Sequence, residues 1–288
     1  MKKNVALVLG SGGARGVAHI GVINELLKQG YNITSISGTS MGALVGGMYA
    51  TGNLKTFEDW MCSLSKLDVF NLVDFTLSLN GLVKGNKILK EMKEMIPDRN
   101  IETLPIPFVA VATDIINGKE VVLNDGSLYD AIRASISIPT VFTPFSYNGL
   151  KLVDGGVLNP IPINLVKRYK DDILIVVNLG SNKEYNTTEL KENHPNDDYK
   201  HNKYINKIQN AINNITPKNK TDKIGYYNLL NKTTSLMIQK VSELTLEKYQ
   251  PDVLIEIPRN AFGTYEFYKS KEIIEFGRKE TKIALQKL

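Results

Sequence analysis

A chain of 288 residues, 42% hydrophobic and 23% charged, has the composition of an ordinary globular protein and is long enough to bury one large core. Its single cysteine, Cys62, excludes an internal disulfide framework and any cysteine-built zinc site. A net charge of +5 favours anionic partners such as an acidic membrane surface, and the lack of a basic cluster interleaved with aromatics argues against nucleic acid.

The first element is "NVALVLG", a buried strand. Two lysines precede it, but the apolar run from Val5 to Leu9 is too short for the core of a signal peptide. No stretch reaches the roughly 18 apolar residues of a membrane span, so the expected location is cytoplasmic. "ARGVAHIGVINELLKQG" then reads as an amphipathic helix closed by Gly30, "ITSISG" as a second strand, and "MGALVGGMYATG" as a second helix ending at Gly52. Residues from about Thr56 to Asn100 show little strand signal and read as a helical excursion ending near Pro97. Further strands are expected at "PFVAVAT", "KEVVL", "LKLVDG", "DILIVVNLG" and, late in the chain, "DVLIEI". Between the last two, Ser181 to Gly225 is dominated by Asn, Lys, Asp and Glu and reads as a solvated insertion. Helical periodicity returns from Tyr226. Strands alternating with helices point to a layered α/β fold around a mostly parallel sheet, in one domain over residues 1–288. Its motif-bearing part is about 5–180, followed by the polar insertion (181–225) and a helical C-terminal part with one late strand (226–288).

The stretch "ISGTSMG" places Ser40 in the spacing G-x-S-x-G between Gly38 and Gly42, where a strand gives way to a helix. Such a turn exposes a serine hydroxyl at the positive end of the helix, where developing negative charge is favoured. The competing reading is an N-capping serine in a tight turn. Upstream, "GSGGARG" (Gly10 to Gly16) is a glycine-rich strand-to-helix loop whose amides face an anion. A dinucleotide site would need glycine where Arg15 stands and an acid after the second strand. A phosphate loop would need Gly-Lys-Ser/Thr. Both features are missing. An oxyanion hole formed by the amides of Gly12 and Gly13 fits better, because successive turns of a parallel sheet lie side by side. A nucleotide-binding module using this loop remains the reading from a different class.

A nucleophilic serine needs a base. His19 lies on an apolar helix face and reads as a packed histidine. His194 and His201 sit in the polar insertion; either would complete a Ser-His-Asp order, but a general base needs rigid surroundings. Carboxylates ending strands are the alternative. Asp114 is followed by "IINGK" and reads as a turn former. Asp154 is followed by Gly155 and Gly156, which leave room around the carboxylate, and burial there would raise its basicity.

With "GSGGARG", "GTSMG" and "LVDGG" in that order, and with "RASISIPTVFTP" (Arg133 to Pro144) between the last two, the chain resembles the patatin-like phospholipases in their bacterial form. The resemblance covers about Val5 to Leu165 and implies a three-layer α/β/α sandwich with lipid acyl hydrolase activity. It further implies a Ser40–Asp154 dyad without a catalytic histidine, and an oxyanion hole from Gly12 and Gly13 with Arg15 as the basic position. A lipid or fatty-acyl ester substrate follows, with neither metal nor cofactor. One departure is Ser11, where many members carry glycine.

Overall fold

In the computed structural model, which describes residues 3–72, 75–78, 81–83, 85–183 and 226–288, "NVALVL" forms strand β1 (Asn4–Leu9) near the middle of a sheet. Val5 to Leu9 are wholly buried because both faces of the strand are covered. Val5, Leu7 and Leu9 enter the large core, while Ala6 and Val8 enter a smaller one on the opposite face, as the two-residue period of a strand requires. The next segment begins as a 3-10 turn over Gly13–Val17 rather than as regular helix. It continues as α1 (Ala18–Lys28), β2 (Asn32–Thr39) and α2 (Met41–Ala50). Strands β1 and β2 pair in parallel with Leu9 opposite Gly38, so the loops that follow them emerge together.

The excursion after Gly52 is not purely helical, which corrects the sequence expectation. Helices α3 (Leu54–Ser63), α4 (Lys66–Asn71) and α5 (Asn86–Met95) are present, but an antiparallel hairpin of β3 (Phe75–Ser78) and β4 (Gly81–Val83) lies between the last two. Its signal is in the sequence: Phe75, Leu77 and Leu79 alternate with Thr76 and Ser78, and Asn80-Gly81 is a favoured hairpin pair.

Next come β5 (Phe108–Asp114), β6 (Lys119–Leu123), α6 (Leu128–Ser135), β7 (Phe145–Tyr147), β8 (Leu150–Asp154) and β9 (Ile173–Ser181). The described chain closes with α7 (Tyr226–Tyr249), β10 (Val253–Pro258) and α8 (Ser270–Leu285). His194, His201 and nearly all of the polar stretch lie outside the described residues. The strand order is β10-β9-β1-β2-β5-β8-β7, with β6 on β5. Strands β10, β9, β1, β2 and β5 are parallel; β5 pairs antiparallel with β6 and β8, and β7 pairs antiparallel with β8.

One face of the sheet carries α1, α2, α6 and α8 over the large core, with Ile20, Val45, Ile132 and Ile273 among its members. Helices α1 and α8 nearly touch: a Cβ on Gly21 would stand 1.9 Å from the Ile274 carbonyl oxygen. The other face carries Ile161, Ile163 and Val166, with Leu246 of α7 packed against them. Three hydroxyls on alternate residues of β2 hold this extended segment. Ser35 donates to the Lys167 carbonyl at 2.5 Å, Ser37 to Pro162 at 2.8 Å and Thr39 to Asn159 at 2.9 Å. The result is three layers, helices on both sides of a mixed, mostly parallel sheet. Among the described residues no helix is long and apolar enough to cross a membrane.

Candidate active site

Ser40 occupies the single residue between β2 and α2, with φ 58° and ψ −122°. A non-glycine residue with positive φ carries strain of about 1–3 kcal/mol, so the surroundings must hold it. They do so by close packing: a Cβ on Gly42 would stand 2.0 Å from the Leu9 carbonyl oxygen, and one on Gly38 2.5 Å from the backbone of Gly42. Only glycine lets the helix start this close to β1 and β2. The N-cap reading fails, because the Ser40 side chain makes no capping hydrogen bond. Its hydroxyl instead donates to Asp154 Oδ2 at 2.5 Å.

The strand register explains how groups so far apart in sequence meet. Strands β2 and β6 overlap along Ala110–Val111 of β5, and β6 and β8 overlap along Ala112–Asp114. Strands β2 and β8 therefore share one edge of β5 and run toward each other. Thr39 ends β2 opposite Val111, and Asp154 ends β8 opposite Ala112, the next position along. Ser40 and Asp154 come off two strands that meet end to end. The sequence places each residue at the end of a strand and leaves the relative direction of the two strands open.

Asp154 is almost wholly buried. Its Oδ1 accepts from the Gly156 amide at 2.7 Å, and its own amide donates to the Ser137 carbonyl at 2.9 Å. Burial pushes the carboxyl pKa up to about 6, against the opposing pull of the Ser40 and Gly156 hydrogen bonds. A Cβ on Gly155 would stand 2.3 Å from the Val111 carbonyl oxygen, so glycine there allows the turn.

The loop from Gly10 to Gly16 packs beside this pair; a Cβ on Gly16 would stand 2.2 Å from Met41 Cβ. The amides of Gly10, Ser11 and Ala14 donate to Val177, Pro160 and Thr264 at 3.1, 2.9 and 2.9 Å. Between them, the amides of Gly12 and Gly13 have no acceptor among the described residues. Arg15 is bound to backbone carbonyls: its Nε donates to the Leu179 carbonyl at 3.0 Å and its Nη1 to Phe262 at 3.1 Å and Arg259 at 3.3 Å. It ties the loop to the ends of β9 and β10. His19 is fully buried beneath the loop with Nε2 2.9 Å from the Gly10 carbonyl, and its Nδ1 has no partner among the described residues. Burial lowers its pKa to about 4, against the raising effect of the Gly10 bond, so the ring is neutral at pH 7 and donates through Nε2.

Three contributors escaped the reading of the sequence. Ser135, at the end of α6, accepts the Ser40 amide on its Oγ at 2.8 Å. Ser137 holds Asp154 through its carbonyl, and its hydroxyl receives Arg133 Nη1 at 2.5 Å. The third is Ser11: a Cβ on Gly156 would stand 2.9 Å from Ser11 Oγ and 3.0 Å from Asp154 Oδ1, so Gly156 leaves the space between the Ser11 hydroxyl and the Asp154 carboxylate open. Spacing alone carries no signal for the first two, although both lie in the "RASIS" block. Asp114 is a turn former: its carboxylate accepts from the Asn117 side chain at 2.6 Å and the Ile116 amide at 3.1 Å, and the Asn117 bond leads in holding its pKa low. Among the described residues no group of three or more His, Cys, Asp and Glu is placed to hold a metal ion.

The fold and the strained serine turn define a three-layer α/β protein of the kind that presents a serine at a sheet edge. The patatin-like phospholipase family model matches residues 7–167, over half of the chain, and the protein belongs to that family. An uncharacterized NTE family protein of Mycobacterium bovis is 32% identical over 95% of this chain and 89% of its own. Patatin-like phospholipase domain-containing protein 7 of Mus musculus is 31% identical over 64% of this chain, which corresponds to 14% of that larger protein. VipD from Legionella pneumophila shares the fold, with a TM-score of 0.51 and 16% identity over 99% of this chain and 67% of its own. The family sets the broad activity, hydrolysis of lipid esters.

Proposed function

We propose that this protein is a serine lipid acyl hydrolase of the phospholipase A, lysophospholipase or esterase type, with Ser40 as nucleophile and Asp154 as general base. The observation that carries this reading is the 2.5 Å hydrogen bond from Ser40 Oγ to a buried, proton-avid carboxylate. Ser40 Oγ attacks the ester carbonyl carbon as Asp154 Oδ2 takes its proton. The amides of Gly12 and Gly13, free of acceptors among the described residues, receive the developing oxyanion. Asp154 then protonates the departing alcohol, leaving an acyl-serine. Water, deprotonated by Asp154, attacks that ester and releases the fatty acid, and the proton returns to Ser40. Arg15 and His19 shape the loop from outside, and neither is given a proton to move.

Two measurements test this. A fluorophosphonate probe is expected to label Ser40 in the wild type and nothing in Ser40→Ala, whose ester hydrolysis falls by more than about 10³-fold. His194→Ala and His201→Ala are expected to keep activity on the same phospholipid and short-chain ester. Intact turnover in Ser40→Ala would sink the assignment, and loss in either histidine variant with the fold preserved would replace the dyad by a triad.

A further inference from the structure

Beyond Val176, the two-residue period of β9 carries Asn178 and Gly180 onto the face that α7 covers. Glu256 of β10 pairs with Asn178 in the parallel register, so their side chains stand side by side on strands about 4.8 Å apart. Together with Ser242 and Glu243 of α7 they line a cavity of about 400 Å³, within the roughly 300–1,000 Å³ of small-molecule sites. Gly180 keeps its floor open: a Cβ there would meet only Asn178 Oδ1, at 3.6 Å. The cavity lies at the same edge of the sheet as Ser40 and the Gly10–Gly16 loop. Val177, next to Asn178, receives the Gly10 amide at 3.1 Å, and β1 alone separates β9 from β2, a span of roughly 10 Å.

Most polar side chains around the cavity are already engaged. Glu243 accepts from Gln239 at 3.0 Å and Asn182 at 3.1 Å, and it meets Lys240 at 3.2 Å. Lys183 is paired with Glu280 at 2.7 Å, and Ser242 donates to the Ile238 carbonyl at 2.9 Å. Two groups are left over. Asn178 is only 8% exposed; its Oδ1 accepts the Gly180 amide at 3.0 Å, which fixes how its own amide is turned, and its Nδ2 has no acceptor among the described residues. Glu256 accepts the Ser181 hydroxyl on Oε1 at 2.7 Å, and its Oε2 has no donor among the described residues. A free donor and a free acceptor therefore stand beside each other in one cavity. An ammonium only donates, so it satisfies Glu256 and leaves Asn178 unused; a phosphate only accepts, and it meets the Glu256 charge. A hydroxyl donates and accepts, so neighbouring hydroxyls on one ligand serve both groups.

We propose that this cavity is a binding site for a polyhydroxylated group of inositol or hexose size, with Asn178 donating to one hydroxyl and Glu256 accepting from its neighbour. A buried side chain with an unused donor is costly until a partner completes it, which makes Asn178 the anchor. Such a group arrives either as the headgroup of a lipid or as a free polyol. The lipid source rests on the proposed hydrolase reading; the site itself does not. As a headgroup site it holds the polar end of a substrate two strands from Ser40 and selects among lipids by their hydroxyls rather than by their charge.

The test uses the full chain as Ser40→Ala, titrated with myo-inositol and followed by saturation-transfer NMR, so that binding is read apart from turnover. Saturable binding is expected, with none for choline or inorganic phosphate. Asn178→Asp keeps the acceptor for the Gly180 amide and removes the free donor, and Gly180→Val puts methyl groups into open space. Each, in that background, should weaken myo-inositol binding by at least about fivefold while the thermal melt stays cooperative. Absence of saturable binding, or equal binding in both folded variants, would overturn the proposal. So would ethanolamine binding that Asn178→Asp strengthens, since the cavity would then hold an amine. Hydrolysis by the otherwise wild-type chain separates the two sources, with phosphatidylinositol compared against phosphatidylethanol, which has the same charge and no hydroxyls. A rise in KM on Gly180→Val confined to phosphatidylinositol supports the headgroup; equal KM values for the two lipids, with myo-inositol binding present, support the free polyol. Binding of myo-inositol to a protein that cleaves no ester would remove the hydrolase reading and leave the site standing.

Discussion

At Asp154, burial and hydrogen bonding act in opposite directions, and under the proposed role as general base the balance bears on reactivity as well as stability. With a pKa of about 6 the carboxylate is ionised at pH 7, yet basic enough to take a serine proton, so activity is expected to rise with pH through about 6. The same shift costs stability. Between the ordinary value of 3.8 and about 6 the folded state holds more protons than the unfolded one, so this group's contribution falls as pH rises through that window. The loss reaches on the order of 3 kcal/mol above it. Asp154→Asn is therefore expected to lower hydrolysis by about 10³-fold or more while raising Tm at pH 7.5 relative to wild type, with the gain vanishing at pH 4. A lower Tm at both pH values would contradict the assigned burial cost. His19 works on the loop rather than on the proton. His19→Phe keeps the packing but releases the Gly10 carbonyl, and a loop displaced by a fraction of an ångström should reduce kcat on the order of tenfold. The midpoint of the pH profile should stay near 6; a shifted midpoint would give His19 an acid–base role.

At the scale of elements, β2 joins both faces of the molecule. Its apolar residues Ile33 and Ile36 feed the large core, and Ser35, Ser37 and Thr39 bind the segment from Asn159 to Lys167. That segment takes no part in the sheet, so these hydroxyls replace ladder bonds in fastening it across the smaller core. Ser37→Ala removes the shorter of the two hydrogen bonds to the Pro162 carbonyl, leaving the Leu165 amide at 3.2 Å, and is expected to destabilise the fold by about 0.5–1.5 kcal/mol. The corresponding fall in Tm is roughly 2–4 °C per kcal/mol, read by calorimetry, with turnover per folded molecule close to wild type. An unchanged Tm would show that the hydroxyl contact does not hold the segment. The alternation that makes this possible was visible as "ITSISGT". Its purpose was not, because the strand reads as one side of a sheet and nothing local reveals which segment crosses it. The β3–β4 hairpin was likewise legible in the alternation from Phe75 to Leu79, although apolar residues at that density also fit a helix.

Across the whole molecule, the site exists only where distant segments converge: Ser40 and Asp154 are 114 positions apart, and the loop tie from Arg15 reaches to Phe262. Such a site should disappear with the fold. In urea, loss of esterase activity and loss of circular dichroism are expected to share one midpoint; earlier loss of activity would show that the edge opens on its own. The order of residues by itself determined the layered α/β class, the succession of strands, and the glycine spacings that mark turns at Gly10–Gly16, Ser40 and Asp154. These are local matters of period, backbone freedom and turn chemistry. Only the tertiary structure decided that β8 runs against β2 along one edge of β5 and stops one residue beyond it. Only it tied Arg15 to the Leu179, Arg259 and Phe262 carbonyls and brought Ser135 to the Ser40 amide. Strand register and side-chain direction depend on packing between segments far apart in the chain, which no local spacing encodes.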